Sequence, residues 1–190
     1  MRQPLESGEV TISRASGTAT FPADFMLLAA MNPCPCGFYG ATQRQCRCSS
    51  IQINRYRAKI SGPLLDRIDI HLEVSAISEE ELMNKPNGEP SGNIRQRVEN
   101  AREIQQQRFG NGITTNANMR PEQLQEHCQL EGTGRALLKT AINNLDLSAR
   151  AYDRILRLAR TIADLDGEAD ILGHHIGEAV QYRTLDRKMW

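Results

Sequence analysis

The hydrophobic pattern of the chain is strongest over residues 25–31, where seven apolar residues run without a break up to Asn32. A continuous apolar run of this length is typical of a strand buried on both faces, as in a parallel sheet covered by helices. Ligands of open α/β sheets bind at the carboxyl ends of such strands. Asn32 therefore either faces a bound ligand, such as the water or phosphate of a nucleotide, or caps a turn before Pro33.

Shorter patterns on either side predict further elements. Two β-rich segments around Ala15-Ser16-Gly17 predict a β-hairpin over about residues 9–22. Residues 51–59 predict a short helix. Residues 68–74 alternate strictly between apolar and polar side chains, which is typical of a half-buried strand near a sheet edge. A strand as apolar as 25–31 needs parallel neighbours, so we expect this chain to be a segment of a longer protein.

The second half of the chain has the pattern of helices. We expect an α/β part over residues 1–83, a linker rich in Asn, Pro and Gly over 84–93, and a small helical domain over 94–190. The predicted fold class is therefore α/β followed by all-α. Helices are predicted from apolar residues at helical spacing after Ile94, and then at about 121–128, 134–145, 148–165 and 173–183.

Composition excludes several classes of protein. The 23 basic and 23 acidic residues give a formal net charge of +0, so any site for a polyanion must be local. Aromatic residues make up 5% of the chain, which argues against a base-stacking platform. The sequence contains neither an apolar run near eighteen residues nor a signal-peptide pattern. We therefore expect a cytoplasmic protein without a membrane partner.

Four of the five cysteines fall within fifteen residues as two C-x-C pairs, Cys34 with Cys36 and Cys46 with Cys48. In a cytosolic chain this clustering favours a metal over disulfides, and four thiolates can form a tetrahedral zinc site. Free thiols in a mobile loop and redox chemistry are the alternatives. Cys128 lies apart in a predicted helix and is interpreted as a plain thiol.

Two arginines occupy positions where an anion contact is plausible. Arg150 lies in the first turn of a helix that begins after Ser148, where backbone N–H groups favour an anion and disfavour a cation. Arg150 therefore either contacts a phosphate or belongs to a solvated basic face of the helix. Arg67 precedes the strand at 68–74; it either reaches a phosphate of a neighbouring subunit or pairs with Asp66 or Asp69, and the residues alone favour the pair.

Four strings of residues together resemble the magnesium chelatase-like ComM/YifB proteins, which are bacterial AAA+ ATPases. The resemblance is carried by Arg2–Arg14 (RQPLESGEVTISR), Ala30–Gly37 (AMNPCPCG), Ser61–His71 (SGPLLDRIDIH) and His175–Arg183 (HIGEAVQYR). It implies the C-terminal part of an AAA+ αβα core, with the hairpin as the pre-sensor-1 insertion and residues 25–31 as the sensor-1 strand, followed by a helical lid.

The resemblance also implies roles for single residues. Asn32 resembles sensor 1, Arg67 the arginine finger and Arg150 sensor 2, so the ion-pair interpretation of Arg67 is reversed. The implied cofactors are ATP and Mg²⁺, with Zn²⁺ possible at the cysteines. The implied partners are further copies of the chain in a ring, expected to be a hexamer, and DNA, on which the motor drives branch migration in natural transformation. Candidate DNA contacts are Arg14, Arg55, Arg57 and Lys59.

The chain departs from the family pattern in one respect. It contains no G-x-x-x-x-G-K-[ST] loop and no apolar strand ending in Asp-Glu, and the resemblance places both before residue 1. We therefore expect this chain alone to be inactive in phosphoryl transfer. Two alternative functions remain at this point. They are the ATPase subunit of a metal chelatase-type complex and a zinc-stabilised binding module.

Overall fold

A computed structural model describes residues 3–41, 44–75, 77, 83–84, 88–110, 115–145 and 147–183. The described residues form two compact units, one of residues 3–68 and 73–75, the other of Asp69–Leu72 and the described residues from 77 onward. They contain eight α-helices, a short 3₁₀ turn and one antiparallel sheet of two strands, so the described fold is mostly helical. Within these residues, no helix combines the length and the apolar character needed to cross a bilayer.

The first unit is built around a hairpin and a few short helices. Strands β1 and β2 pair antiparallel, with Arg14 opposite Gly17 across a two-residue turn. Gly17 has φ +145°, a conformation that favours glycine, which explains why the turn forms there. The predicted hairpin is confirmed. The elements of this unit are α1 (Pro4–Ser7), β1 (Glu9–Arg14), β2 (Gly17–Pro22), α2 (Ser50–Arg57) and α3 (Gly62–Leu65).

The two faces of the hairpin differ in chemistry because side chains alternate along each strand. On one face, the hydroxyl groups of Thr11 and Thr20 lie 3.0 Å apart, and those of Ser13 and Thr18 are also separated by 3.0 Å. The opposite face is apolar and includes Ile12 and Phe21, which are exposed. Cross-strand hydroxyl pairs of this kind stabilise a hairpin that has no third strand among the described residues.

Two predicted strands are absent from the described residues. Residues 25–31 form no strand, and Met26 and Leu28 are 92% and 93% exposed. Residues 68–74 likewise form no strand, and Leu72 and Val74 are exposed. A strand requires a neighbour whose N–H and C=O groups complete the ladder, and among the described residues only β1 and β2 offer that pairing. The apolar pattern of these segments is typical of strands, but it does not indicate whether another strand is present to pair with them.

The second unit is a bundle of helices. The predicted helices are confirmed, with boundaries shifted by up to three residues. The helix after Ile94 begins earlier than expected, at Ser91. A short 3₁₀ turn lies at Asn116–Asn118, between this helix and the next one along the chain. The helices are α4 (Ser91–Phe109), α5 (Pro121–His127), α6 (Gly132–Leu145), α7 (Ala149–Asp166) and α8 (Gly173–Gln181).

Helix α7 forms the centre of this bundle. It begins where the Ser148 hydroxyl accepts a hydrogen bond from the Ala151 N–H (3.1 Å), and it ends at Gly167 with φ +73°. Its apolar face supplies Ile155 and Ala159, both fully buried, to a core shared with α5, α6 and α8. The core residues, from all four helices and their connections, are Met119, Leu124, Cys128, Leu130, Leu138, Ile155, Leu156, Ala159, Ile162, Ala163, Ile171, Ile176 and Ala179.

A buried polar network ties α7 to α4 and to the 3₁₀ turn. The carboxylate of Asp164, fully buried, accepts hydrogen bonds from Arg108 at 2.8 and 2.5 Å and from the Asn116 amide at 2.7 Å. Arg160, one helical turn before Asp164, donates to the same carboxylate at 3.1 Å. A buried charge is tolerated when it is paired and hydrogen-bonded, and this one has three partners.

Candidate functional site

The four clustered cysteines converge on one point of the first unit. Their sulfur atoms all lie within 4.8 Å of one another, and all are free thiols. The Cys34 sulfur lies 3.3 Å from that of Cys36 and 3.7 Å from that of Cys46, and the Cys36 and Cys46 sulfurs are 3.6 Å apart. Zn–S bonds of about 2.3 Å in a tetrahedron separate the sulfurs by about 3.8 Å, so the cluster fits zinc closely.

The loop holds the cluster through backbone hydrogen bonds. The Gly37 N–H donates to the Cys34 carbonyl at 3.0 Å, which closes a tight turn between the first two cysteines, and Gly37 adopts φ +82°. The Cys48 N–H donates to the Cys46 sulfur at 3.4 Å. Cys34 is fully buried, although it is the sole buried residue among described positions 33–48. The cysteines themselves therefore form the interior of this loop.

The thiols of the cluster differ in how readily they ionise. Backbone N–H groups of Phe38 and Arg47 donate to the Cys36 sulfur and lower the pKa of this thiol to about 6. Desolvation raises the pKa of Cys48 to about 12, and the neighbouring sulfurs add to the effect. The cluster thus places a readily formed thiolate, at Cys36, beside a thiol at Cys48 that resists ionisation. A bound divalent cation would favour the thiolate form of all four.

Asn32 lies immediately before this loop. Its side chain is exposed, and its amide packs 3.8–3.9 Å from the position that a Cβ on Gly37 would occupy. Asn32 and the first cysteine pair are therefore neighbours in space as well as in sequence.

Arg67 lies in the same unit and is held firmly. Its guanidinium donates to a Glu6 carboxylate oxygen at 2.5 and 3.1 Å and to the Pro63 carbonyl at 2.5 Å. The Arg67 side chain is 10% exposed, against 44% for Glu6. A guanidinium has five N–H groups, so these contacts leave donors for a further acceptor. Glu6 is not the partner considered from the sequence, because 61 residues separate it from Arg67.

The expected partner Asp69 instead contacts Arg154 on α7, within the second unit. Arg157 donates to the Met119 carbonyl at 2.9 Å. Arg154 and Arg157 therefore hold parts of the helical unit together. Arg150 is exposed in the first turn of the same 18-residue helix.

The basic candidates for DNA contact differ from one another. Arg14 is exposed at the turn end of β1, and Arg55 is exposed on α2. Lys59 is exposed and lies 5.9 Å from the Tyr56 ring. Arg57 is half-buried, since its Nε donates to the Pro33 carbonyl at 3.3 Å and its guanidinium stacks 4.9 Å from the Tyr39 ring. Arg57 is thus engaged within the unit.

A second group of possible ligands, Asp166, His174 and His175, is less suited to a metal. The Nδ1 of His175 accepts a hydrogen bond from the Leu172 N–H at 3.0 Å. Its Nε2 must then carry the proton and donate it to Asp166 at 3.1 Å. Fully buried His175 therefore fastens the start of α8 to the end of α7.

The helical unit also contains an open groove of about 550 Å³ between α5, α6 and the first half of α7. Its floor is apolar and includes Leu124, Leu138 and Leu156, and its rim carries charges of both signs. None of the site residues predicted from the sequence is among the described residues that line it.

Sequence reasoning missed the Asp164 network and the contacts of Glu6 and Tyr39. One signal for the network was available, because Arg160 and Asp164 are spaced one helical turn apart beside the apolar face of α7. Glu6 and Tyr39 gave no such signal, since their partners lie 61 and 18 residues away in the chain.

Comparison with known proteins agrees with the four motifs. A family model described as magnesium chelatase, subunit ChlI, matches residues 1–82, and the C-terminal model of the same subunit matches residues 88–183. Competence protein ComM of Haemophilus influenzae is 45% identical over 188 residues, and YifB of Escherichia coli is 40% identical over 189, each alignment covering 98% of this chain. The chain spans 36% of the length of each relative. It therefore belongs to the magnesium chelatase-like family that includes ComM and YifB.

Proposed function

We propose that this chain forms part of an ATP-hydrolysing AAA+ motor that works in the cytoplasm as a ring, a hexamer, and acts on DNA. The observation that carries the proposal is the 45% identity, over nearly the whole chain, to a relative named for competence. Competence involves the uptake of DNA, so a motor in this process would branch-migrate or otherwise move along DNA. In a protein as long as these relatives, of which this chain spans 36%, strands from the other residues would pair with segment 25–31.

In this proposal three residues serve the γ-phosphate of ATP. When ATP and Mg²⁺ are bound, the metal neutralises phosphate charge during phosphoryl transfer. Asn32 is exposed and can orient the attacking water through its amide. Arg150 lies where the N–H groups of a long helix favour an anion, which suits a phosphate contact.

Arg67 acts on the nucleotide of the neighbouring subunit. Its guanidinium is already oriented by Glu6 and the Pro63 carbonyl, so little conformational entropy is lost when it meets a phosphate. Glu6 therefore serves as the positioning residue for Arg67.

The four-cysteine cluster holds structural Zn²⁺. Its sulfur separations match a tetrahedral thiolate site, and its loop offers almost no other buried side chain. The exposed cations Arg14, Arg55 and Lys59 are candidates for contacts with DNA phosphates, whereas Arg57 is occupied within the unit.

The test is the ATPase rate of the full-length protein, with and without DNA, for the wild type and for Arg67→Ala and Arg150→Ala. Arg97→Ala is the matched control, since Arg97 forms an exposed pair with Glu89. We expect DNA to stimulate the ATPase rate of the wild type. Arg67→Ala should lower that rate on the order of 10³-fold, the lower end of the range for an arginine finger. We expect Glu6→Gln to reduce the rate less than Arg67→Ala, because the guanidinium remains.

Two results would contradict the proposal. Rates that do not respond to DNA would favour a chelatase-type ATPase, a second candidate supported by the family model, which describes a magnesium chelatase subunit. Rates in Arg67→Ala and Arg150→Ala equal to that of Arg97→Ala would mean that neither arginine takes part in ATP hydrolysis. If the wild type also hydrolysed no ATP, the zinc-stabilised binding module, supported by the cysteine cluster, would become the better interpretation.

A further inference from the structure

Helix α2 begins directly after the cysteine cluster. Ser49, next to Cys48, caps the helix: its hydroxyl accepts the Gln52 N–H at 3.3 Å, and the Gln52 side chain accepts the Ser49 N–H at 2.9 Å. A helix of eight residues is too short to be stable in water by itself. Any group that fixes Cys48 therefore also fixes the N-cap from which α2 starts.

The other end of α2 returns to the same loop. Arg57, its last residue, donates to the Pro33 carbonyl and stacks on Tyr39. Pro33 immediately precedes Cys34, and Tyr39 lies three residues after Cys36. The C-terminal end of the helix thus contacts chain segments on both sides of the first cysteine pair, whereas its N-terminal end directly follows the second pair.

Little else holds α2 in place. Ile53 is its one buried residue, while Ile51 is 72% exposed. The loop it contacts is equally short of apolar burial, apart from the cysteines. The contacts of α2 with the loop therefore depend on whatever keeps the loop in this conformation, and four thiols without a bond between them provide little restraint.

We infer that the four-cysteine centre and Arg57 together form a metal-dependent clamp on α2, in which Zn²⁺ fixes the loop and Arg57 fastens the helix to it. The N-terminal end of α2 is held through Cys48 and Ser49, and the C-terminal end through Arg57 on Pro33 and Tyr39. Arg55, exposed and without a hydrogen bond or ion pair among the described residues, takes no part in the clamp. The inference does not depend on the ATPase proposal.

The first experiment measures metal content and amide hydrogen exchange in the full chain, purified under reducing conditions with Zn²⁺. We expect one zinc per chain. We expect removal of the metal with a chelator to accelerate exchange of the α2 amides, residues 50–57, at least tenfold, while amides in α7 exchange unchanged and re-addition of Zn²⁺ restores protection. A chain without stoichiometric zinc, or α2 exchange indifferent to the metal, would overturn the inference.

The second experiment separates the two parts of the clamp with a matched pair, Arg57→Ala and Arg55→Ala. Both variants should retain one zinc. Loss of a hydrogen bond and a cation–π contact should accelerate α2 exchange about tenfold in Arg57→Ala, and Arg55→Ala should exchange as the wild type does. Equal exchange in the two variants would exclude a role for Arg57.

A cysteine pair provides the remaining control. Cys36→Ser removes one ligand and should lose zinc and α2 protection together. Cys128→Ala removes the fifth cysteine, which lies in the core of the helical unit, and should leave both unchanged. Zinc retained at one per chain in Cys36→Ser would contradict a four-cysteine centre.

Discussion

At the scale of single residues, the carboxylate of Asp164 gathers the polar contacts of the helical unit. Two guanidinium groups and one amide donate to it, and each of these donors comes from a different element or turn. Removing one charged member of such a network leaves the other charges buried without a partner. The resulting loss of folding free energy exceeds what the intact network contributes to stability. The network is therefore a sensitive point for the stability of this unit.

We expect Asp164→Ala to destabilise the helical unit by about 3–5 kcal/mol, because Arg108 and Arg160 then remain buried without their carboxylate. Urea unfolding followed by circular dichroism measures this loss. Glu89→Ala, which breaks the exposed pair with Arg97, is the control and should change the free energy of unfolding by less than about 1 kcal/mol. Equal effects of the two substitutions would show that the network adds no stability.

Cys128 gives a prediction about pH. Burial raises the pKa of its thiol to about 11 in the folded chain, from 9.0. The unfolded chain therefore loses this proton at lower pH than the folded chain. The contribution of this thiol to stability is thus constant below about pH 8 and is lost between pH 9 and 11. We expect the decline to be shallower in Cys128→Ala. Unfolding free energies of both proteins between pH 7 and 11 test this, and identical slopes would rule out the thiol as the cause.

At the scale of elements, the ends of the helices follow from local backbone chemistry. Helix α7 stops at Gly167, which adopts φ +73° and receives no contact within 4 Å of where a Cβ would lie. Gly177 is equally unobstructed but lies inside α8 with ordinary helical geometry. The same substitution at these two glycines should therefore have opposite effects.

We expect Gly167→Ala to cost about 1 kcal/mol, because the left-handed conformation is unfavourable for a residue with a Cβ. Gly177→Ala should stabilise the unit by about 0.5–1 kcal/mol, because alanine loses less backbone entropy in a helix. The urea midpoints of the two variants, compared with the wild type, measure both effects. A shift in the same direction for both would contradict the assignment of Gly167 as the end of α7.

At the scale of the whole molecule, several large apolar side chains of the described residues are exposed. Met26 and Leu28 are almost fully exposed, and Phe21 and Phe25 are about half exposed. An exposed apolar segment that pairs with no strand among the described residues is a template for association with another chain. We therefore expect copies of the chain to associate through this surface of the first unit.

We expect the wild-type chain to associate with increasing concentration and the double variant Met26→Gln, Leu28→Gln to remain monomeric. Sedimentation velocity over a range of concentrations measures this. Val98→Gln, at a position 46% exposed on α4, is the control and should associate as the wild type does. Association of the double variant to the same extent would exclude segment 25–31 as the contact surface.

Local signals predicted most of the elements. The hairpin follows from two β-rich segments around a glycine-containing turn, and α7 follows from the Ser148 cap and its apolar stripe. The candidate site was predicted in part, because two C-x-C pairs nine residues apart already suggest a shared metal. The roles implied for Asn32, Arg67 and Arg150 come from the family resemblance and stay predictions.

What the sequence determined by itself is thus the set of contacts between near neighbours: helix ends, turns, apolar faces and the short spacing of the cysteines. Only the tertiary structure decided which distant groups meet, namely Glu6 with Arg67, Asp69 with Arg154, and Arg108 with Asp164. It also decided that the apolar run at 25–31 and the alternating run at 68–74 are not strands among the described residues. The physical reason is the same in each case. A cap, a turn or a helical face is completed by residues a few positions away, whereas a ladder or an ion pair requires a partner whose place depends on the whole chain.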